Sequence, residues 1–136
     1  MSFTTAVKTV LGKYADFQGR ASRSEFWWFY LFTVLVNLVF YIPFVIFMFL
    51  GASLSSEGSA NAFVMILMWL FLVLTIAVNL ALLLPTIAVG VRRLHDRAQS
   101  GWLMLLWVVP CGNIALLVLW LLDGTPGDNQ YGPRAS

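Results

Sequence analysis

The sequence predicts an all-α membrane protein: an N-terminal amphipathic interfacial helix followed by three transmembrane helices. Composition is the first reason. Apolar residues make up 60% of the 136-residue chain and charged residues only 10%, whereas the water-facing shell of a globular domain takes about 25% charged residues. Length is the second. Stretches 26–56, 58–91 and 98–122 carry no formal charge, and about 20 apolar residues in a helix cross about 30 Å of hydrocarbon. In lipid the backbone must satisfy its own hydrogen bonds, so such segments are helices. The third reason is the segregation of Lys and Arg described below.

In chain order, residues 1–18 come first. Phe3, Val7, Val10, Leu11, Tyr14 and Phe17 recur at spacings of three and four, with Lys8, Lys13 and Asp16 elsewhere on the wheel. The pattern suits a helix lying in the interface plane, or one packed on the protein's own cytoplasmic surface. Gly19 is the expected stop. Residues 19–122 form the transmembrane region, with spans near 26–50, 62–87 and 102–122. Ser22-Arg23-Ser24-Glu25 reads as a capping box at the start of the first span. Trp27, Trp28, Tyr30, Trp102 and Trp120 stand where interfaces are expected. Pro43, Pro85 and Pro110 each remove a backbone donor within an apolar segment. At Pro110-Cys111-Gly112-Asn113 the third segment is either a kinked continuous span, the expectation, or the tip of a re-entrant hairpin, which needs protein around it. Cys111 is expected to be a small packing residue. The tail, 123–136, is rich in Gly, Pro, Asp and Asn and reads as turns.

Orientation follows from the basic residues. Lys8, Lys13, Arg20 and Arg23 precede the first span, and Arg92, Arg93 and Arg97 lie between the second and third. The loop at 51–59 has none. The positive-inside rule therefore puts the N-terminus and the 92–101 loop in the cytoplasm and the 51–59 loop outside. The single cysteine excludes an intrachain disulfide. The first apolar run lacks the form of a cleaved signal.

The densest polar cluster is Arg92, Arg93, His95, Asp96 and Arg97, on the same predicted face as Arg20, Arg23 and Glu25. It reads as a topology signal, as internal ion pairs, or as an anion site, since guanidinium forks suit phosphate and lipid headgroups. Pairs of Glu25 or Asp96 with arginines of the other set are expected. Four arginines (20, 23, 92 and 93) face two carboxylates, and the surplus is where an anionic headgroup would dock. His95 and Asp96 are adjacent, so on a helix they do not face each other. No complete catalytic set and no metal-ligand set is present, and neither enzyme activity nor a cofactor is expected. Nor is a nucleic-acid partner expected. Within the spans, Asn37 and Asn79 each follow a threonine by four residues, and their distances from Glu25 and Arg92 put them at matching depth. A hydrogen bond between them is the expected reading, against a polar pathway lining.

Three ordered motifs resemble the bacterial family known as domain of unknown function 805, the YhaH-type inner membrane proteins. They are Gly19-Arg20-Ala21-Ser22-Arg23-Ser24-Glu25-Phe26-Trp27-Trp28, then Arg92-Arg93-Leu94-His95-Asp96 with Ser100-Gly101-Trp102, then Gly124-Thr125-Pro126-Gly127-Asp128-Asn129 with Tyr131-Gly132-Pro133. The resemblance implies an inner membrane location and supplies neither substrate nor catalytic residue. The functional expectation is a non-enzymatic membrane component binding lipid headgroups or a protein partner. The alternative is a subunit of an oligomeric transporter or channel, since three spans are too few to enclose a pathway.

Overall fold

The structure, a computed structural model, describes residues 2–54 and 58–134. Residues 55–57 of the expected outer loop lie outside the described residues. The elements are α1 (Phe3–Gly12), α2 (Arg23–Ser53), α3 (Ser59–Asp96), a 3-10 segment (Gly101–Trp107) and α4 (Gly112–Leu121). Among the described residues no strand forms; an isolated bridge joins Asn129 and Gly132 in the tail.

The first helix is shorter than the 1–18 expected from its apolar stripe. Ser2 caps it by accepting from the Thr5 N–H at 3.2 Å. It ends at Gly12, where the Lys13 N–H closes onto the carbonyls of Thr9 and Val10. The Asp16 side chain then accepts from the Gln18 N–H at 2.9 Å, a local bond that competes with helix continuation. Tyr14 and Phe17 therefore lie beyond the helix, and Gly19 is not its stop. Ala6 and Val10 are wholly buried, and Phe3 meets Trp28 edge-on at 5.9 Å, so part of the stripe packs on the start of α2.

At the start of the second helix one half of the capping box forms: the Ser22 hydroxyl accepts from the Glu25 N–H at 3.2 Å, while the Glu25 carboxylate turns to Arg92. The helix runs 31 residues through Pro43, and α3 runs 38 residues through Pro85. Among the described residues these are the two helices long and apolar enough to cross a membrane. At 1.5 Å per residue they reach about 46 and 57 Å, well beyond the hydrocarbon thickness. Burial along α3 is uneven. Phe63, Ile66, Trp69, Val73, Ile76 and Leu80 are more than half exposed, while every residue from Ala88 to Leu94 is buried. The apolar stretch thus lacks protein cover, and the charged end of the same helix is enclosed.

The single span expected at 102–122 does not form. The 3-10 segment stops at Trp107, and α4 starts only at Gly112, after Cys111 at φ +64°. Pro110 has no N–H to continue a helix. A Cβ on Gly112 would lie 2.0 Å from the Leu106 carbonyl oxygen, so glycine alone permits this close return. The stretch leaves from the end of α3, where the Gln99 N–H bonds the Leu94 carbonyl at 2.9 Å. It comes back to the same place, because Arg93 bonds the carbonyls of Trp120 and Leu122. The stretch is a hairpin, and ten residues of α4 reach about 15 Å, half the hydrocarbon thickness. Cys111 is exposed at its tip rather than packed.

The chain divides into two compact units, residues 1–31 with 83–136, and residues 32–82. The first holds most of the buried core, including Val10, Ala21, Phe26, Phe29, Ala88, Val89, Leu94, Leu116 and Trp120. Phe26 lies against Trp120 with ring centroids 4.6 Å apart. The tail is folded into this unit.

Candidate functional site: a buried charge cluster and its polar cleft

The cluster is assembled where the start of α2, the end of α3 and the tail meet. The segment before α2 is held by the Ala21 N–H, which bonds the Arg92 carbonyl at 3.0 Å. That contact sets Arg20 beside Asp96, Nε to Oδ1 at 2.8 Å. Glu25, in the first turn of α2, takes Arg92 at 2.5 Å. Its carboxylate is thus a counterion, a role the capping reading had not given it. Arg93 bonds the other oxygen of Asp96. All five side chains of this network are 7% exposed or less.

Three buried guanidinium groups face two buried carboxylates, and backbone carbonyls take up the surplus. Arg20 also donates to the carbonyls of Asp96, Thr125, Gly127 and Gly132. Arg93 donates to those of Ala21, Trp120 and Leu122. The last two stand at the C-terminus of α4, where unpaired carbonyls carry the negative end of the helix dipole. Arg92 differs: its Nε and second terminal nitrogen are buried without a partner among the described residues, leaving Glu25 as its one side-chain contact. The expectation that Arg92 and Arg93 receive a headgroup is therefore corrected. Both side chains have no exposed surface and are engaged within the cluster.

The tail's contribution was read in the sequence only as turns. The Thr125 N–H bonds the Asp96 carbonyl at 2.8 Å, and Asn129 donates to the carbonyl of His95 and the hydroxyl of Thr125, each at 2.9 Å. Gly124 lies so close that a Cβ there would meet Asp96 Oδ2 at 1.9 Å. These are positions of the closing motif, and that motif was the signal for them. His95 Nδ1 donates to the Gly19 carbonyl at 3.1 Å, and its ring stacks on Tyr131 at 3.9 Å. Ser100 caps the 3-10 segment by accepting from Trp102 N–H at 3.3 Å.

Two hollows border the cluster. An apolar groove of about 640 Å³ is lined by His95 and Tyr131 together with Val91, Trp102, Met104 and Leu105 among others. A polar cleft of about 290 Å³ is lined by Ser22, Arg23, Ser24, Arg93, Asp96, Asp123, Gly124 and Arg134. In the cleft, Arg23 pairs with Asp123 at 2.7 Å, both side chains more than half exposed, so the pair adds little stability. Arg134 is exposed and has no ion pair among the described residues.

Asn37 and Asn79 form a separate polar site within residues 32–82. Asn79 Nδ2 donates to Asn37 Oδ1 at 2.7 Å. Each amide also bonds the carbonyl four residues earlier, Thr33 or Thr75, at 2.8 Å.

Residues 14–133 match the model of a family described as protein of unknown function (DUF805). Inner membrane protein YhaI of Escherichia coli K12 is 37% identical to the chain, covering 91% of it and 89% of that protein. Inner membrane protein YhaH of the same strain is 35% identical over 91% of this chain and 90% of its own. The uncharacterized protein YiiR is 30% identical over 86% and 84%. No solved structure matches the chain.

Proposed function

The chain belongs to the DUF805 family, and from that premise we propose that it is a non-enzymatic inner membrane component whose cytoplasmic face binds anionic lipid headgroups. In this reading α2 and α3 cross the bilayer, the 101–121 hairpin re-enters from the cytoplasmic side, and both termini are cytoplasmic. The inner membrane names of the relatives, the two long apolar helices and the charge asymmetry of the loops support that placement.

The observation that carries the binding reading is the polar cleft. It presents two exposed guanidinium groups, Arg23 and Arg134, beside the Ser22 and Ser24 hydroxyls at the start of α2. Guanidinium forks and hydroxyl donors suit phosphate oxygens. The buried cluster beneath supplies the scaffold: with Arg20, Arg92 and Arg93 engaged inside, the cleft keeps its shape. The test is retention of phosphatidylglycerol against phosphatidylcholine, by native mass spectrometry from mixed vesicles. Arg23→Gln together with Arg134→Gln should abolish the preference for the anionic lipid. Unchanged preference in that folded double variant would refute the site.

A further inference from the structure

We infer that the Asn37–Asn79 pair is half of an interface with a second copy of this chain, an inference that rests on the bilayer placement proposed above. The argument is a count of hydrogen-bonding groups. An amide has two N–H donors and one carbonyl oxygen with two lone pairs. Asn79 uses both donors, one on Asn37 Oδ1 and one on the Thr75 carbonyl. Asn37 uses one donor, on the Thr33 carbonyl. One N–H of Asn37 and the whole carbonyl oxygen of Asn79 are left over.

Neither amide is enclosed by protein: Asn79 is exposed and Asn37 half-buried. Residues one helical turn away are apolar and exposed: Val34 and Tyr41, three before and four after Asn37 on α2, and Ile76, three before Asn79 on α3. In water the leftover donor and acceptor would be hydrated. At the depth of an apolar stretch, hydrocarbon offers no partner, and an unsatisfied polar group there costs several kcal/mol. Polar side chains on transmembrane helices relieve that cost by bonding across helices.

The chemistry selects the partner. The free donor of Asn37 and the free acceptor of Asn79 belong to two amides already bonded to each other. A two-fold axis beside that pair would set Asn37 N–H of each copy against Asn79 Oδ1 of the other. Two reciprocal bonds close the set, as an isologous interface requires. A different helix would have to bring its own matched donor and acceptor; a second copy has them already.

Subunit counting by single-molecule photobleaching, in phosphatidylcholine–phosphatidylglycerol vesicles over a range of protein-to-lipid ratios, tests this. The wild-type chain should bleach in two steps. Asn79→Leu, checked for native helix content, should raise the dimer dissociation constant roughly ten- to a hundredfold. A companion measurement leaves the amides intact: Ile76→Cys, on a Cys111→Ser background, should crosslink between copies with a short bis-maleimide. Wild-type chains that stay monomeric, a dimer unmoved by folded Asn79→Leu, or absent crosslinking at position 76 would each overturn the inference. The Arg23→Gln/Arg134→Gln variant should remain dimeric, which separates this interface from the headgroup site.

Discussion

Glu25→Gln is the sharpest probe of the buried cluster. The carboxylate is 4% exposed and its partner Arg92 has no exposed side chain. Two other nitrogens of that guanidinium are already unpartnered among the described residues. Glutamine keeps the shape and one acceptor oxygen but removes the charge. Breaking a buried pair by removing one partner costs about 3–5 kcal/mol, and the retained acceptor places this variant near the lower end, about 3 kcal/mol. The strain is electrostatic, so Arg92→Met in the same chain should restore most of the loss. Denaturant titration in mild detergent, followed by tryptophan fluorescence, reads the effect, because Trp120 packs on Phe26 one residue from Glu25. A loss under about 1 kcal/mol, the range of surface ion pairs, would refute the view that this pair is buried and uncompensated. So would a double variant that is less stable than the single one.

The glycines give two further expectations. Gly124→Ala would put a methyl group 1.9 Å from Asp96 Oδ2, an oxygen held by Arg93 and unable to yield, so it should cost at least the ~1–3 kcal/mol of overpacking. Gly127→Ala meets nothing within 4 Å and should cost only the ~1–2 kcal/mol of its left-handed backbone; the same fluorescence titration should show Gly124→Ala as the worse variant. Gly112→Ala should displace α4 from the Leu106 carbonyl. Hydrogen exchange should then speed up across 112–122, and unchanged protection there would count against the tight hairpin.

The features legible in the sequence were those with a local physical signature. Charge-free length announced α2 and α3, and Ser22 announced where α2 begins. The recurrence of Glu25 and Asp96 opposite arginines announced cross-pairs, and the structure forms them as Glu25–Arg92 and Asp96–Arg20. The amides at matched depth announced their hydrogen bond. What could not be read depended on closing the chain over itself. The apolar content of 102–122 pointed to a continuous span; the break at 108–111 and the return of Leu122 to Arg93 give a hairpin shape that composition alone does not encode. The apolar stripe of 3–17 continues in composition past Gly12, while the helix closes there with the Lys13 N–H on the carbonyls of Thr9 and Val10. Exposure of the arginines was the third gap. A sequence shows four positive groups; the structure shows three of them engaged internally, Arg92 by Glu25, and Arg20 and Arg93 by Asp96 with carbonyls of the tail and of α4.

The central claim is that the chain crosses twice and then re-enters, so that both termini and the 92–101 loop share the cytoplasmic face. Single cysteines at Ser59, Gln99 and Gln130, on a Cys111→Ser background, test it directly with a membrane-impermeant maleimide. In cells whose outer membrane alone is opened, position 59 should label, while 99 and 130 should label only after the inner membrane is permeabilised. Labelling of position 130 together with 59 in cells with an intact inner membrane would mean that residues 102–122 cross the bilayer, and the account would be wrong.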